Sequence, residues 1–258
     1  MVVVSTVSST SRSYTDQALV LRTQVLGESD RIIILLTRSH GVVHAVARGV
    51  RKGRSAFGGR LEPFMYVDVS LRSGKNLSTV TQVQTRRAYT GAIMGNYSSY
   101  IVASVLSEVA EALTSFEGEG VESHFLLLAG ALSALAQERL RPYDVLNSYV
   151  LRALGYAGWG FSLDSCAICD GCGGPWRFSP EYGAVCKVCS RSIVHSKVFV
   201  MPEDVRQYLM FVSRSQWDKL AQLDTELLSY AAFSFVSGYV QWHLEKPLKS
   251  FSLLKKDI

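Results

Sequence analysis

The sequence predicts an α+β protein of several domains: an N-terminal β-barrel, an α-helical body and a four-cysteine zinc site inserted into that body. Three observations predict this arrangement. Short β-branched segments fill the first third of the 258-residue chain, helical periodicity replaces them at Asn96, and two Cys-x-x-Cys pairs interrupt the helical part. We expect a disordered tail over 1–13, the barrel over 14–90, the helical body over 91–160 and 197–258, and the zinc-binding insertion over 161–196.

Five segments in the first third have the length and composition of β-strands. The stretch Met65-Tyr-Val-Asp-Val-Ser-Leu71 alternates apolar and polar side chains, as a half-buried strand does. Turn residues such as Ser39-His-Gly41 separate the segments. The predicted strands are Ala18–Gln24, Arg31–Thr37, Val42–Ala47, Phe64–Leu71 and Leu77–Gln84. Five short strands favour a small closed barrel, and the OB-fold is a five-stranded barrel of this kind.

From Asn96 onward the apolar residues recur at helical spacing, as in Ile101, Val105 and Val109. Proline in the first turn marks the start of two later helices. The predicted helices after the one at Asn96 cover Val121–Gln137, Pro142–Leu154, Pro202–Phe211 and Leu227–Leu244. The longest apolar stretch, Phe125–Ala136, is shorter than the roughly 18 residues that a bilayer crossing needs. We therefore expect a soluble, cytoplasmic protein.

Five cysteines lie close together, as Cys166-Ala-Ile-Cys169-Asp-Gly-Cys172 and Cys186-Lys-Val-Cys189. Two Cys-x-x-Cys pairs at this separation are typical of a structural Zn²⁺ site, in which four thiolates close a tetrahedral shell. Either Cys166 with Cys169 or Cys169 with Cys172 can form the first pair. We favour Cys166, Cys169, Cys186 and Cys189, because Cys172 precedes a Gly-Gly-Pro turn that suits a chain leaving the site. One zinc ion per chain is expected.

Positive charge is concentrated in the first third of the chain. Residues 1–95 carry thirteen Lys or Arg and five Asp or Glu, a net charge of +8, whereas residues 96–258 have a net charge of −3. An asymmetry of this kind indicates a polyanionic partner, with nucleic acid as the first candidate. A solvated basic face without a partner is the alternative.

A basic, glycine-rich segment runs from Arg48 to Arg60, with five Lys or Arg, four Gly and no acid in thirteen positions. Glycines permit close approach to a ligand, cations neutralise phosphates, and the aromatic ring of Phe57 can stack on a base. The predicted DNA-binding residues are Arg48, Arg51, Lys52, Arg54, Phe57, Arg60, Arg72, Lys75, Arg86 and Arg87. Basic character with few ordered base-reading side chains predicts binding that is dominated by the DNA backbone and tolerates sequence.

The sequence carries no phosphate-binding Gly-x4-Gly-Lys-Ser/Thr loop and no Gly-x-Ser-x-Gly nucleophile motif. His243-Leu-Glu245 resembles half of a zinc-deaminase motif, but it follows the cysteines instead of preceding them. We therefore expect no enzymatic activity and no catalytic residues. A zinc-ribbon enzyme acting on nucleic acid, such as a nuclease or a deaminase, is the alternative.

Several motifs resemble the RecO family of bacterial recombination mediators. They include Leu26-Gly-Glu28-Ser-Asp30-Arg31, Ala47-Arg48-Gly49-Val-Arg51-Lys52, Leu61-Glu-Pro63-Phe64 and the C-terminal Leu248-Lys-Ser250. The resemblance implies an N-terminal OB-fold, a helical bundle and, in many bacteria, a four-cysteine zinc site, and it favours Cys166 and Cys169 as the first pair. The additional Cys172 and the long Ser/Thr-rich start depart from the family pattern.

The resemblance also implies a function. Members bind single- and double-stranded DNA, anneal complementary strands, and assist recombinase loading in the RecF pathway together with RecR and the acidic tail of single-stranded-DNA-binding protein. Such a tail needs an apolar pocket rimmed by cations. We expect that pocket between the Pro142–Leu154 and Pro202–Phe211 helices, with cations among Arg139, Arg141, Arg152 and Arg206.

Overall fold

A computed structural model describes residues 13–53, 55–114, 120–171, 173–214, 217–244 and 247–254. The chain divides into two compact units that meet in sequence between Ala88 and Tyr89. The first contains the predicted strands and the second contains the predicted helices together with the cysteines. Each unit has its own core.

The first unit is a closed five-stranded barrel in the order β1-β2-β3-β5-β4. Antiparallel pairing of β1 with β4 closes the barrel, and β3 pairs with β5 in parallel. All five predicted strands are confirmed, and β1 and β5 are longer than predicted. The strands are β1 (Ser13–Leu26), β2 (Asp30–Thr37), β3 (Gly41–Ala47), β4 (Met65–Arg72) and β5 (Ser78–Ala88).

Alternation along the strands fills the barrel interior. In β4 the predicted apolar face, including Val67, Val69 and Leu71, is fully buried among aliphatic side chains of the other strands. A single 3-10 turn over Gly58–Leu61 adds Leu61 to the same core. The segment between β3 and β4 is therefore held to the barrel by an apolar anchor near its C-terminal end.

The second unit is a helical body with a small sheet inserted between α4 and α5. Its helices are α1 (Thr90–Met94), α2 (Tyr97–Leu113), α3 (Val121–Ala136), α4 (Pro142–Tyr156), α5 (Glu203–Ser213), α6 (Trp217–Leu220), α7 (Glu226–His243) and α8 (Phe251–Leu254). The sheet, in the order β7-β6-β8, contains β6 (Trp176–Ser179), β7 (Gly183–Cys186) and β8 (Phe199–Val200). The predicted helices are confirmed, whereas the strands around the cysteines were not predicted.

Helix α4 is the centre of the helical body, because it packs against α2, α3, α5 and α7. Its first turn carries a buried carboxylate, Asp144, which accepts hydrogen bonds from the hydroxyls of Tyr208 and Thr225, each at 2.6 Å. Ser148 donates to the Val212 carbonyl at 2.9 Å. These buried polar contacts fix α4 against α5 and α7. None of the described helices is long and apolar enough to cross a membrane.

Candidate nucleic-acid interface and metal centre

The four favoured cysteines come together at one end of the small sheet. The sulfur atoms of Cys166, Cys169, Cys186 and Cys189 all lie within 4.8 Å of one another. Zinc–thiolate bonds of about 2.3 Å place the sulfurs of a tetrahedral site about 3.8 Å apart, so the cluster has the dimensions of such a site. Cys172 lies outside the described residues.

The backbone around the sulfurs has the form of two cysteine knuckles. The amide of Cys186 donates to the sulfur of Cys166 at 3.3 Å, and the amide of Cys189 donates to the sulfur of Cys186 at 3.4 Å. The first knuckle is closed by Asp170, whose φ of +55° turns the chain back. Its amide donates to the Cys166 carbonyl at 2.9 Å. Amides directed at sulfur stabilise thiolates, as a metal site requires.

Two thiols of the cluster have pKa values displaced in opposite directions. Burial raises the pKa of the Cys166 thiol, but donated amide hydrogen bonds outweigh it and the pKa falls to about 6. Hydrogen bonding to the sulfurs of Cys169 and Cys186 raises the pKa of Cys189 to about 12. Thiolates this close repel one another, so all four ionise together only when a cation compensates them. The donor set and its spacing therefore fit Zn²⁺.

The predicted DNA-binding residues lie in several segments of the barrel. Arg48, Arg51 and Lys52 follow β3, and Arg86 and Arg87 lie at the C-terminal end of β5, which pairs with the start of β4. Arg72 is the last residue of β4, and Lys75 lies in the β4–β5 turn. Arg54 is outside the described residues. The strand registers bring Arg72 toward the cations after β3, because Val46 of β3 pairs with Thr79 of β5 and Thr79 pairs with Arg72.

Protein groups already engage several of these cations. The Arg86 Nε pairs with the Asp68 carboxylate at 2.7 Å, and the Arg60 guanidinium donates to the Ala56 carbonyl at 3.0 Å. Arg51 donates to two backbone carbonyls of the β1–β2 turn. Arg87 donates to the neighbouring Arg86 carbonyl at 3.2 Å. Sequence reasoning missed the contacts of Arg51 and Arg86 because the fold brings their partners close, and those of Arg60 and Arg87 because a backbone acceptor leaves no mark in the sequence.

Four of the predicted cations remain available to a ligand. They are exposed, and among the residues that the structure describes their side chains have neither a carboxylate within ion-pair distance nor a hydrogen bond: Arg48, Lys52, Arg72 and Lys75. Phe57 is only partly exposed, because its ring packs against the barrel core. It also lines a groove of about 640 Å³ with the amides of Gln82 and Gln84. These groups give the barrel both cations for phosphates and a polar groove with one aromatic wall.

The expected pocket between α4 and α5 is a wrong prediction. Buried hydrogen bonds fill that interface, and two of the arginines have other roles: Arg141 pairs with Asp224 at 2.9 Å, and Arg206 pairs with Glu203 at 2.6 Å. Arg139 is exposed. Helix faces were assigned from periodicity alone, which does not show which side a neighbouring helix covers.

Arg152 instead lines a hollow of about 340 Å³ between α3, α4 and Trp217. Helix α3 contributes Leu126, which is 51% exposed, and Trp217 of α6 completes the wall together with Tyr156. The Trp217 indole N–H donates to Ser148 at 3.0 Å, so the ring is held in place. The hollow combines exposed apolar surface with one cation.

Comparisons with known proteins cover nearly the whole chain. Residues 11–89 match the family model described as Recombination protein O N terminal, and residues 94–251 match Recombination protein O C terminal. The chain is 41% identical over 241 residues to the DNA repair protein RecO of Bifidobacterium animalis subsp. lactis, 93% of this chain and 98% of that protein. It is 40% identical over 246 residues to the Thermobifida fusca protein of the same name, and 42% identical over 243 residues to that of Frankia casuarinae. Each of these two alignments covers 94% of this chain and 98% of the relative.

Proposed function

The chain belongs to the RecO family of DNA repair proteins, and on that basis we propose that it is a DNA-binding recombination mediator without catalytic activity. It binds and anneals single-stranded DNA, and it assists recombinase loading in RecF-pathway repair. The observation that carries the proposal is the set of exposed, unpaired cations among the described residues of the barrel, Arg48, Lys52, Arg72 and Lys75. Four such charges can neutralise phosphates without reading sequence.

The barrel is assigned in this proposal to the OB-fold. The closed five-strand order and the parallel β3–β5 pair support the assignment. In OB-folds the β1–β2 and β4–β5 turns flank the binding face. The cations after β3 lie beside the first of these turns, and Arg72 and Lys75 lie at the second. A single strand that passes along both turns contacts both groups.

The four-cysteine cluster holds one structural Zn²⁺ in this proposal, with Cys166, Cys169, Cys186 and Cys189 as ligands. Four thiolates leave no coordination position open for a substrate. Zinc there supplies folding free energy to the segment around the sheet. Residues 161–196 are then a zinc-binding insertion in the helical body, and the protein acts in the cytoplasm at the nucleoid.

Two protein partners follow from the family: RecR and the tail of single-stranded-DNA-binding protein. The hollow at Arg152 suits an acidic tail with an apolar end, because the guanidinium can pair with a carboxylate beside exposed Leu126 and Tyr156. A fluorescent peptide of that tail tests the placement. Arg152→Glu should abolish binding, whereas Arg139→Glu, which reverses an exposed charge outside the hollow, should leave it unchanged. Equal binding by both variants contradicts the placement.

One experiment distinguishes an annealing protein from a nuclease or a deaminase. Complementary labelled strands are incubated with the protein and Mg²⁺ or Zn²⁺, without nucleotide. The proposal predicts faster formation of duplex and strands of unchanged length and base composition. Cleaved strands or deaminated bases would establish an enzyme instead.

A further inference from the structure

The turn after β3 is held against the β1–β2 turn by a set of contacts centred on Asp30 and Arg51. The amide of Gly49 donates to the Asp30 carboxylate at 2.8 Å, and Ser29 Oγ donates to the same oxygen at 3.0 Å. The amide of Arg51 donates to the Ser29 carbonyl at 3.0 Å. These hydrogen bonds hold the backbone that follows β3 against the β1–β2 turn.

The side chain of Arg51, which follows β3, also binds the β1–β2 turn. One of its terminal nitrogens, Nη1, donates to the Gly27 carbonyl at 3.1 Å and to the Glu28 carbonyl at 3.0 Å. We refer to the contacts of Asp30 and Arg51 between the β1–β2 turn and the turn after β3 as the clasp. Gly49 has a φ of +67° and Gly27 a φ of +60°, so both turns use a conformation that favours glycine.

Asp30 is an unexpected residue for this position. It lies among exposed cations of the proposed DNA surface, where a negative charge opposes phosphate binding. The Gly49 amide, then the Ser29 hydroxyl, and to a lesser degree Arg48 and Lys52, hold its pKa below the usual value of an aspartate. The carboxylate is thus ionised at neutral pH, and its Oδ1 accepts hydrogen bonds from both turns.

We propose that Asp30 and Arg51 are positioning residues, which order the turn after β3 so that Arg48 and Lys52 face a nucleic-acid phosphate chain. This inference rests on the proposed function and adds the role of two residues to it. Arg51 then acts through its contacts with the Gly27 and Glu28 carbonyls and not as a phosphate ligand. Asp30 increases affinity for DNA although its charge has the same sign as the ligand.

Glu28 provides a matched control for Asp30. It carries the same charge in the same turn, its side chain is exposed, and its carboxylate accepts no hydrogen bond from any residue that the structure describes. Simple electrostatics predicts that Glu28→Ala and Asp30→Ala both tighten DNA binding. The clasp predicts opposite outcomes for them.

The experiment measures binding of a fluorescent oligothymidylate to the full chain across a salt series. For Asp30→Ala we expect the Kd to rise by about threefold or more and the log–log salt slope to flatten by up to about 1.4, from two phosphate contacts at about 0.7 each. Glu28→Ala retains or increases affinity. Asp30→Asn keeps an oxygen that accepts from Gly49 and therefore restores the wild-type slope. If Asp30→Ala binds as tightly as Glu28→Ala, the positioning role is wrong.

Arg51 is tested by a conservative exchange. Lysine keeps the charge, but its ammonium lies on a shorter side chain than the Nη1 that donates to both carbonyls. The clasp predicts that Arg51→Lys loses as much affinity as Arg51→Ala, whereas a phosphate ligand would be largely replaced by lysine. Wild-type affinity in Arg51→Lys overturns the proposal for Arg51.

Separate controls test whether a variant is folded and whether the proposed DNA binding exists. Circular dichroism and thermal unfolding of Asp30→Ala identify a variant that has lost its barrel, and in that case Asp30→Asn and Arg51→Lys decide the positioning role. Reduced binding by Asp30→Asn with wild-type binding by Arg51→Lys refutes the clasp. If the wild-type chain binds no single-stranded DNA, the proposed function fails; if it binds and Asp30→Ala matches Glu28→Ala, only the positioning role fails.

Discussion

The guanidinium carbon of Arg206 lies 4.8 Å from the centre of the Trp176 ring, so α5 stacks a cation on the first strand of the small sheet. Arg206 also donates to the Leu163 carbonyl and pairs with Glu203 at 2.6 Å. Its side chain is only 13% exposed. Arg206 thus contributes three contacts in and around the attachment of the cysteine-bearing insertion to the helical body.

Arg206→Ala should lower the free energy of unfolding by about 1–3 kcal/mol, because it removes a cation–π contact and leaves the Leu163 carbonyl without that donor. Arg214→Ala is the control: Arg214 pairs with Asp164 at 2.8 Å, but both side chains are at least 60% exposed. An exposed pair contributes less than about 1 kcal/mol. Urea unfolding of both variants checks this, and equal losses would contradict the attachment.

Metal analysis tests the cysteine cluster. The purified chain should hold one zinc ion, and Cys186→Ser should lose it, because the remaining three sulfurs cannot complete the tetrahedron. Cys172→Ser should retain the metal. Zinc content that falls equally in both variants would show that the ligand set includes Cys172.

A buried histidine makes the helical body sensitive to acid. His124 is 4% exposed, and none of the described residues offers a hydrogen-bond partner to its Nδ1. Burial lowers its pKa below the ordinary value of 6.5. As the pH falls through about 6.5 the unfolded chain takes up the proton first, so stability falls by at most about 1.4 kcal/mol per pH unit until the folded pKa is passed.

His124→Phe should therefore remove part of the stability loss between pH 7 and pH 5, while the exposed His195→Ala should not. Thermal unfolding across this range measures the difference. An NMR titration that gives His124 a pKa of 6.5 or higher in the folded chain would contradict this origin of the acid sensitivity.

Periodicity was sufficient to predict the strands of the barrel and the long helices. Alternation in Met65–Leu71 and helical spacing at Ile101, Val105 and Val109 are local properties that burial preserves. The ends of β1 were missed because its flanking residues, such as Ser13 and Thr15, have no apolar pattern. The four-residue strands beside the cysteines are too short to alternate recognisably.

The sequence predicted which residues form the candidate sites but not the contacts that these residues make with one another and with the backbone. The spacing of Cys166, Cys169, Cys186 and Cys189 indicated the cluster directly, because a knuckle is a local structure. The attachment of Arg51 to the β1–β2 turn depends on the register in which β2 pairs with β3. A charge count treats Arg48 and Arg51 alike, although only the fold shows which of them has protein acceptors.

The salt dependence of single-strand binding decides whether DNA binds to the unpaired cations of the barrel. The variant Arg48→Ala/Lys52→Ala/Lys75→Ala is compared with Arg139→Ala/Lys187→Ala/Arg191→Ala, which removes three exposed cations from the helical unit. We expect the barrel variant to flatten the log–log slope by about 2, at about 0.7 per contact, and the helical variant to keep the wild-type slope. Equal slopes for the two variants, or a flattened slope in the helical variant alone, would show that DNA binds elsewhere.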